Sequence, residues 1–339
     1  MPLASGWAAS RFLETVNGRN DCRSAVVIAE SGSLSVNPSF RRARYDGFIL
    51  LGECRVPIVQ LVTNPAAGRH DVRTINALEQ AFVRAGATLI RTECGPDRPF
   101  AIDRRAARLC VVGGDGTARH AAHAAGQQQR ILPISLYPAG TVNLLHREAG
   151  CELDPDRYAA HILSGSGDRQ YYAASLGDSL FLTCASVGPD SAAVAALSTR
   201  LKRRIGRAAY AVAFLKVLVK WPRHAIRLRC DGRAIDCEAF YVAKGRYFAG
   251  PWSFAPDARH DAPTLHVVAL QTVTRRSYAR FAWALFRGKP VERLPGVTML
   301  TCSRLSADCA APLPVQADGD IAATLPVDIG LIEQPFLFR

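Results

Sequence analysis

A chain of 339 residues, 49% hydrophobic and 21% charged, is long enough for two folded domains and too apolar to be largely disordered. Its formal charge of +13 points to an anionic partner: nucleotide phosphates, nucleic acid or an acidic membrane surface. Ten cysteines with no CxxC pair and no zinc-ligand spacing argue against a disulfide framework and against a thiolate metal site, so reduced core thiols are expected.

Residues 1–54 mix Ser, Gly, Asn and Arg without a sustained hydrophobic period, and read as an N-terminal extension, partly disordered, outside the first domain. No basic leader followed by an apolar core is visible there, so a cytoplasmic location is expected. A regular alternation then begins: strand 56–62, helix 72–85, strand 88–91, helix 100–107, strand 109–112, a short helix 118–125 capped by Thr117, and strand 131–136. Strands alternating with helices indicate a parallel α/β domain over residues 55–150. Beyond a helix at 155–163 the period changes to two, with strands at 170–175, 180–187, 225–230, 234–243, 265–270 and through 312–338. Asp231-Gly232 is a hairpin turn between two of these strands. Residues 151–339 are therefore expected to form a β-rich second domain, its last strands packing back toward the first, interrupted by helices at 191–221 and 275–286. The apolar stretch 208–219 is broken by Lys216 and too short to span a bilayer.

Three strands of the first domain end in polar, glycine-bearing loops: Thr63-Asn64-Pro65-Ala66-Ala67-Gly68, Gly113-Gly114-Asp115-Gly116-Thr117 and Pro138-Ala139-Gly140-Thr141-Val142-Asn143. In an open parallel sheet the carboxyl ends of the strands share one edge, where ligands bind, so the three loops are expected to converge on one crevice. Glycines there let an anion approach backbone N–H groups, and Thr117, Thr141 and Asn143 add neutral donors and acceptors. Asp115 is the odd member: a carboxylate beside phosphate implies a divalent cation, reached through water. Together these features point to phosphoryl transfer. Neither a Gly-x-Gly-x-x-Gly after a strand nor a Walker motif is present.

The ordered set Asn64-Pro65-x-x-Gly68, Gly113-Gly114-Asp115-Gly116-Thr117 and Pro138-x-Gly140-Thr141-x-Asn143 resembles the diacylglycerol kinase catalytic-domain family of bacterial lipid kinases and sphingosine kinases. Downstream, 241–250, Ala255-Pro256-Asp257-Ala258 with Asp261, and Asp318-Gly319-Asp320 resemble that family's second-domain and carboxyl-terminal signatures. The resemblance implies an α/β, two-domain fold of the lipid and NAD kinase type, with a β-sandwich-like second domain, ATP and Mg²⁺ as cofactors, and a lipid hydroxyl as acceptor. It further implies that Asn64, Gly68, Gly113, Gly114, Asp115, Gly116, Thr117, Gly140, Thr141 and Asn143 contact the nucleotide or its metal network. By the same resemblance Asp320 stands for the family's catalytic glutamate, and Asp261 matches an acidic position of a metal site.

The sequence departs from that pattern at Ala67 (usually Ser), at Arg119-His120 (usually Asn-Glu), at Leu144 (commonly Asp) and at Asp320 itself. The departures leave room for a catalytically weakened nucleotide- or membrane-binding regulator, and the pentapeptide is shared with NAD kinases, a second enzyme reading. Between Asp190 and Asp231 there is no acidic residue but ten basic ones, including Arg200, Lys202, Arg203, Arg204, Arg207 and Lys220. That run suggests peripheral docking on an anionic membrane. No recognition helix or stacking ladder accompanies it, so no nucleic-acid partner is expected; a homodimer is compatible with the sequence.

Overall fold

The computed structural model describes residues 40–45, 48–53, 56–95, 100–150, 152–165, 167–197, 208–219, 221 and 223–339, in two units, Met1–Val56 and Pro57–Arg339. In the first unit, β1 (Phe40–Tyr45) and β2 (Phe48–Glu53) pair antiparallel, Phe40 opposite Glu53. The rest of the anticipated N-terminal extension lies outside the described residues.

The second unit opens with β3 (Ile58–Thr63), α1 (Val72–Arg84), β4 (Thr88–Glu93), β5 (Arg108–Gly113), α2 (Asp115–Gln127), β6 (Ile134–Pro138), α3 (Leu144–Ala149), α4 (Pro155–Leu163) and β7 (Arg169–Tyr171). Strands β4, β3, β5 and β6 are neighbours in that order, and all are parallel. Strands buried on both faces need near-continuous apolar runs, which Ile58–Thr63 and Arg108–Gly113 supply. One face is covered by α1, through Ile75, Leu78, Ala81 and Phe82, and by α4, through Tyr158, Ala159 and Ile162. The other is covered by the alanine side of α2, whose small residues let the helix lie close on Leu109, Val111, Ile134 and Leu136. Helix α1 begins where the Asp71 carboxylate accepts the N–H groups of Arg73 (3.2 Å) and Thr74 (3.1 Å).

The helix expected over residues 100–107 does not form. Gln60, fully buried in β3, captures the segment instead, donating to the Ala101 carbonyl (2.9 Å) and accepting from the Asp103 N–H (2.9 Å). Arg130 takes the Asp103 and Ala106 carbonyls (3.0 and 2.7 Å). Side chains thus satisfy the backbone groups that a helix would have paired internally.

The remaining elements are β8 (Ala174–Leu176), β9 (Ser179–Phe181), β10 (Cys184–Val187), α5 (Pro189–Ala195), α6 (Ala208–Val219), β11 (Ile226–Cys230), β12 (Arg233–Cys237), β13 (Ala239–Ala243), β14 (Leu265–Leu270), α7 (Arg275–Phe286), β15 (Val297–Cys302), β16 (Arg304–Cys309), β17 (Pro314–Ala317), β18 (Asp320–Thr324), β19 (Val327–Leu331) and β20 (Phe336–Phe338). Two six-stranded antiparallel sheets, β15-β14-β13-β10-β17-β18 and β12-β11-β16-β19-β8-β9, enclose one apolar core that includes Phe181, Leu228, Phe240, Val267, Leu305 and Ile329. The architecture is the expected α/β layer followed by a β-sandwich. Asp231 and Gly232 take positive φ (44° and 88°) in the β11–β12 hairpin, as the dipeptide predicted.

Three of the anticipated strands are divided. The run 234–243 breaks at Glu238, where the chain passes from β12 in one sheet to β13 in the other, and 170–175 and 180–187 break at similar crossings. Strands β15 and β16 carried no clear pattern, and appear where the chain supplies partners for β14 and β11. The helical segment expected over 191–221 is described as α5 and α6; Arg200, Lys202, Arg203, Arg204, Arg207 and Lys220 lie outside the described residues. All seven described cysteines are free thiols. Among the described residues no helix is long and apolar enough to cross a membrane.

Candidate active site

The three glycine loops follow β3, β5 and β6 and meet at the carboxyl edge of the parallel sheet. The Arg69 N–H donates to the Ala139 carbonyl (2.9 Å), tying the first loop to the third. The Asn64 amide donates to the Thr117 hydroxyl (3.0 Å), tying the first to the second. The glycines are the points of closest approach. A Cβ on Gly140 would stand 2.5 Å from the Gly114 Cα, and one on Gly113 would stand 2.6 Å from the Thr117 Oγ1. A Cβ on Gly68 would meet the Thr141 Oγ1 at 3.1 Å, and one on Gly116 would meet the Asp320 Oδ2 at 3.0 Å. Asn64, Gly68, Gly113, Gly114, Gly116, Thr117, Gly140, Thr141 and Asp320, from distant parts of the sequence, are thus brought together at one edge of the sheet.

Helix α2 starts at Asp115, three residues earlier than expected, and Thr117 lies in its first turn rather than capping it. Its N-cap is Gly114, with no side-chain cap bond, so the first N–H groups are left for a ligand. Asp115 is buried and has a structural task. Its two oxygens accept the N–H groups of Leu144 (2.8 Å) and Leu145 (2.9 Å), capping the N-terminus of α3. Burial raises its pKa to about 6 against the pull of those two hydrogen bonds, and the nearby Asp318 carboxylate adds to the rise. Asn143 sits at φ 56° and exchanges hydrogen bonds with Gly140, accepting from its N–H (2.9 Å) and donating to its carbonyl (3.0 Å). Two side chains that the sequence marks as ligand contacts therefore shape the third loop.

Asp320 opens β18, at the tip of the β17–β18 hairpin, with its side chain 49% exposed. The hairpin is fixed from below by Asp318. Asp318 accepts the N–H groups of Leu182 (2.8 Å), Thr183 (2.8 Å) and Cys184 (3.2 Å), and the Thr183 hydroxyl (2.6 Å). Buried Gln316 accepts the Gly319 N–H (2.9 Å) and donates to Ser186 (3.0 Å). Arg119, 6% exposed on α2, reaches across to the same hairpin. Its Nη1 donates to the Ala317 carbonyl (3.0 Å), and its Nη2 lies 3.8 Å from the Asp320 Oδ2. His120 follows it, its pKa lowered by burial and by the Arg119 charge. Of the other departures, Leu144 is buried and Ala67 packs against the core beside α1.

The cation site anticipated at Asp261 is not assembled. Arg259 clasps the Asp261 carboxylate (2.7 and 2.8 Å) and holds it below the usual carboxylate range. The carbonyls of Arg259 (2.7 Å), His260 (3.2 Å) and Ala262 (2.8 Å) converge on the Lys244 ammonium, a buried cation whose pKa burial lowers to about 8. An internal cation already fills the position, so the residues there do not fit a metal. Among the described residues no group of three or more His, Cys, Asp or Glu side chains is placed to hold one. His260 is buried between Glu148 (Nδ1 to Oε1, 2.8 Å) and the Tyr171 ring (4.8 Å), where it links α3 to the sandwich. The one sequence clue to these contacts is a polar residue inside an apolar run, Gln60 in β3 and Lys244 at the end of β13.

Compared with known proteins, residues 59–171 match the family described as the diacylglycerol kinase catalytic domain, and residues 183–335 match the YegS C-terminal NAD kinase beta sandwich-like domain. A Pseudomonas aeruginosa (strain UCBPP-PA14) protein named "Probable lipid kinase YegS-like" is 30% identical over 214 residues, covering 61% of this chain and 69% of that protein. The chain belongs to the diacylglycerol kinase family of lipid kinases. A member from Staphylococcus carnosus (strain TM300), named "Diacylglycerol kinase", is 22% identical over 228 residues, 67% of this chain and 74% of its own. The fold is shared with the crystal structure of a diacylglycerol kinase from Bacillus anthracis str. Sterne, at a TM-score of 0.66 and 18% identity over 83% of this chain and 96% of that one. In this chain the three glycine loops stand beside Arg119 and the Asp320 carboxylate of the β17–β18 hairpin.

Proposed function

We propose that the protein transfers the γ-phosphate of ATP to the hydroxyl of a diacylglycerol- or sphingoid-like lipid, with Asp320 receiving the hydroxyl proton. The observation that carries this reading is the placement of Asp320 over Gly116 in the first turn of α2, with the Gly114–Gly140 contact beside it. A phosphate chain lying on Gly114 and Gly116 would take the unpaired N–H groups of α2 and leave its terminal group beneath the hairpin carboxylate. Family membership supports ATP as donor.

Mg²⁺ suits the donor set, because this ion takes one or two carboxylates, keeps several waters and shares the phosphates of its nucleotide. Asp115, through water, is the carboxylate that would hold it, and it would neutralise charge on the transferring phosphoryl group. Asn64 and Thr117, already bonded to each other, orient the floor of the cradle. Asp320 keeps the chemistry of a carboxylate base with one methylene less reach than glutamate.

The test is incubation of the purified protein with ATP, Mg²⁺ and a total lipid extract, followed by mass spectrometry of the phosphorylated products. A phosphorylated diacylglycerol or sphingoid product that disappears in Asp320→Asn, with ATP binding retained, is the expected outcome. Transfer to NAD, or no lipid product above that of Asp320→Asn, would overturn the reading.

A further inference from the structure

We propose that helices α6 and α7 form a docking face for an anionic bilayer. Helix α6 buries Ala213 and Val217 against Ala193 of α5, with Phe214 and Trp221 packed beside them. Its opposite stripe, Val212, Leu215, Lys216 and Val219, follows the i, i+3, i+4, i+7 spacing of a single face and is exposed, Leu215 by 61% and Val219 by 79%. A helix apolar on both faces with only one of them packed is missing a partner on the other.

Helix α7 repeats the pattern. It buries Tyr278, Phe281, Ala284 and Leu285 under the sandwich and turns Arg276, Arg280, Trp283 and Phe286 outward. Trp283 and Phe286 stack on each other (6.1 Å between centroids) while 59% and 58% exposed, and Arg287 lies over the Trp283 ring at 5.6 Å. The two helices are neighbours: Arg275 donates to the Leu218 carbonyl (2.8 and 3.0 Å), and Phe214 stacks on Tyr278 at 5.8 Å.

Charge selects the occupant. Residues 208–221 and 271–291 contain no Asp or Glu, while α7 and its exit carry Arg275, Arg276, Arg280, Arg287 and Lys289. A second copy of the same face would set cation against cation. An anionic headgroup layer accepts the cations, and the acyl boundary beneath it accepts Leu215, Val219, Trp283 and Phe286. Helix α5, on which α6 packs, also packs against β17 and β18. The proposal goes beyond phosphate transfer and does not depend on it.

The experiment is co-sedimentation without ATP, using phosphatidylcholine vesicles with and without phosphatidylglycerol and a duplex DNA competitor. Wild type should partition to the anionic vesicles at least tenfold more strongly than to neutral ones. Trp283→Ala/Phe286→Ala and Leu215→Ser/Val219→Ser should each lose most of that binding. Arg276→Glu/Arg280→Glu should lose the anionic preference, Val83→Ser on the exposed side of α1 should change nothing, and all variants should melt as wild type does. Asp320→Asn should bind vesicles fully while losing any transfer, which separates this proposal from the catalytic one. Wild-type protein that ignores anionic vesicles, folded variants that bind as wild type, full displacement by duplex DNA, or a dimer that the same substitutions dissolve would each overturn it.

Discussion

Arg119 and Asp320 look like two unrelated departures when the sequence is read along its length, yet they face each other in the fold. The guanidinium is anchored by the Ala317 carbonyl 198 residues away, and its other arm stands 3.8 Å from the Asp320 Oδ2. A planar cation with fixed donor directions orients a short carboxylate better than a neutral side chain would. If Asp320 takes the proton, Arg119 is a positioning residue for it. Arg119→Gln is expected to lower kcat by about 10- to 100-fold with the KM for ATP little changed, because about 1 Å of misplacement at the reacting centre costs that much. Asp320→Glu alone should also lose rate, since the longer side chain meets Gly116 and the guanidinium. The double variant Arg119→Asn/Asp320→Glu should recover more than the product of the two single losses predicts. Steady-state kinetics on the four proteins decides this, and strictly multiplicative losses would refute the coupling. No spacing rule could have revealed the pair, because their proximity depends on a hairpin folding back over a helix from the other layer.

At the scale of elements, the strands and helices that periodicity announces strongly, β3, α1, β5, α4, β14 and α7, stand within two residues of where the sequence places them. Those that differ are set by tertiary context: Gln60 and Arg130 satisfy the backbone of residues 100–107, and the divided strands break where the chain crosses between sheets. Helix α3 belongs to the same class, since its N-terminus is capped by Asp115, which sits at the start of another helix. A pH dependence follows. The pKa of Asp115 is raised to about 6 from an ordinary 3.8, so between about pH 4 and 6 the folded chain holds more protons at this group than the unfolded chain does. Its contribution to stability is therefore present at the acid end and lost as pH rises through that window, by at most about 3 kcal/mol. The cap works in the opposite direction, because the ionised carboxylate accepts both N–H groups and a protonated one does not. Nucleotide affinity of wild type should fall as pH drops from 7 to 5. Asp115→Asn, with one acceptor oxygen, should bind about tenfold more weakly at pH 7 and lack that fall. Titration calorimetry of both proteins across the range separates this effect from the nucleotide's own ionisation, and parallel pH profiles would refute it.

At the scale of the whole molecule, the sequence divides naturally into an α/β part and a β-rich part, but residues 57–339 form one compact unit. The reason lies at the C-terminus. Strand β20 pairs parallel with β6, Phe338 opposite Ile134, and antiparallel with β7, so the residues that follow the sandwich complete the sheet that precedes it. Phe336 and Phe338 join the α2 side of the core, where Leu180 and Leu182 from the sandwich also pack. Arg339 closes the edge, its Nη1 3.5 Å from Asp168 and its Nη2 donating to Ser164 (2.9 Å). Damage to β20 should therefore reach both parts together. Phe338→Ala truncates a residue that is only 3% exposed and is expected to cost about 3–5 kcal/mol. The tryptophans allow a sharp test, because Trp221, Trp252 and Trp283 all lie among the residues after the α/β layer, and Trp7→Phe removes the fourth. In that background, fluorescence follows the sandwich part alone, while circular dichroism follows both. Equal shifts of the denaturation midpoint by the two probes in Phe338→Ala are expected for one cooperative unit. A shift seen by circular dichroism with the fluorescence midpoint unmoved would mean that the α/β layer can unfold while the sandwich stands, and that β20 fastens two independent domains.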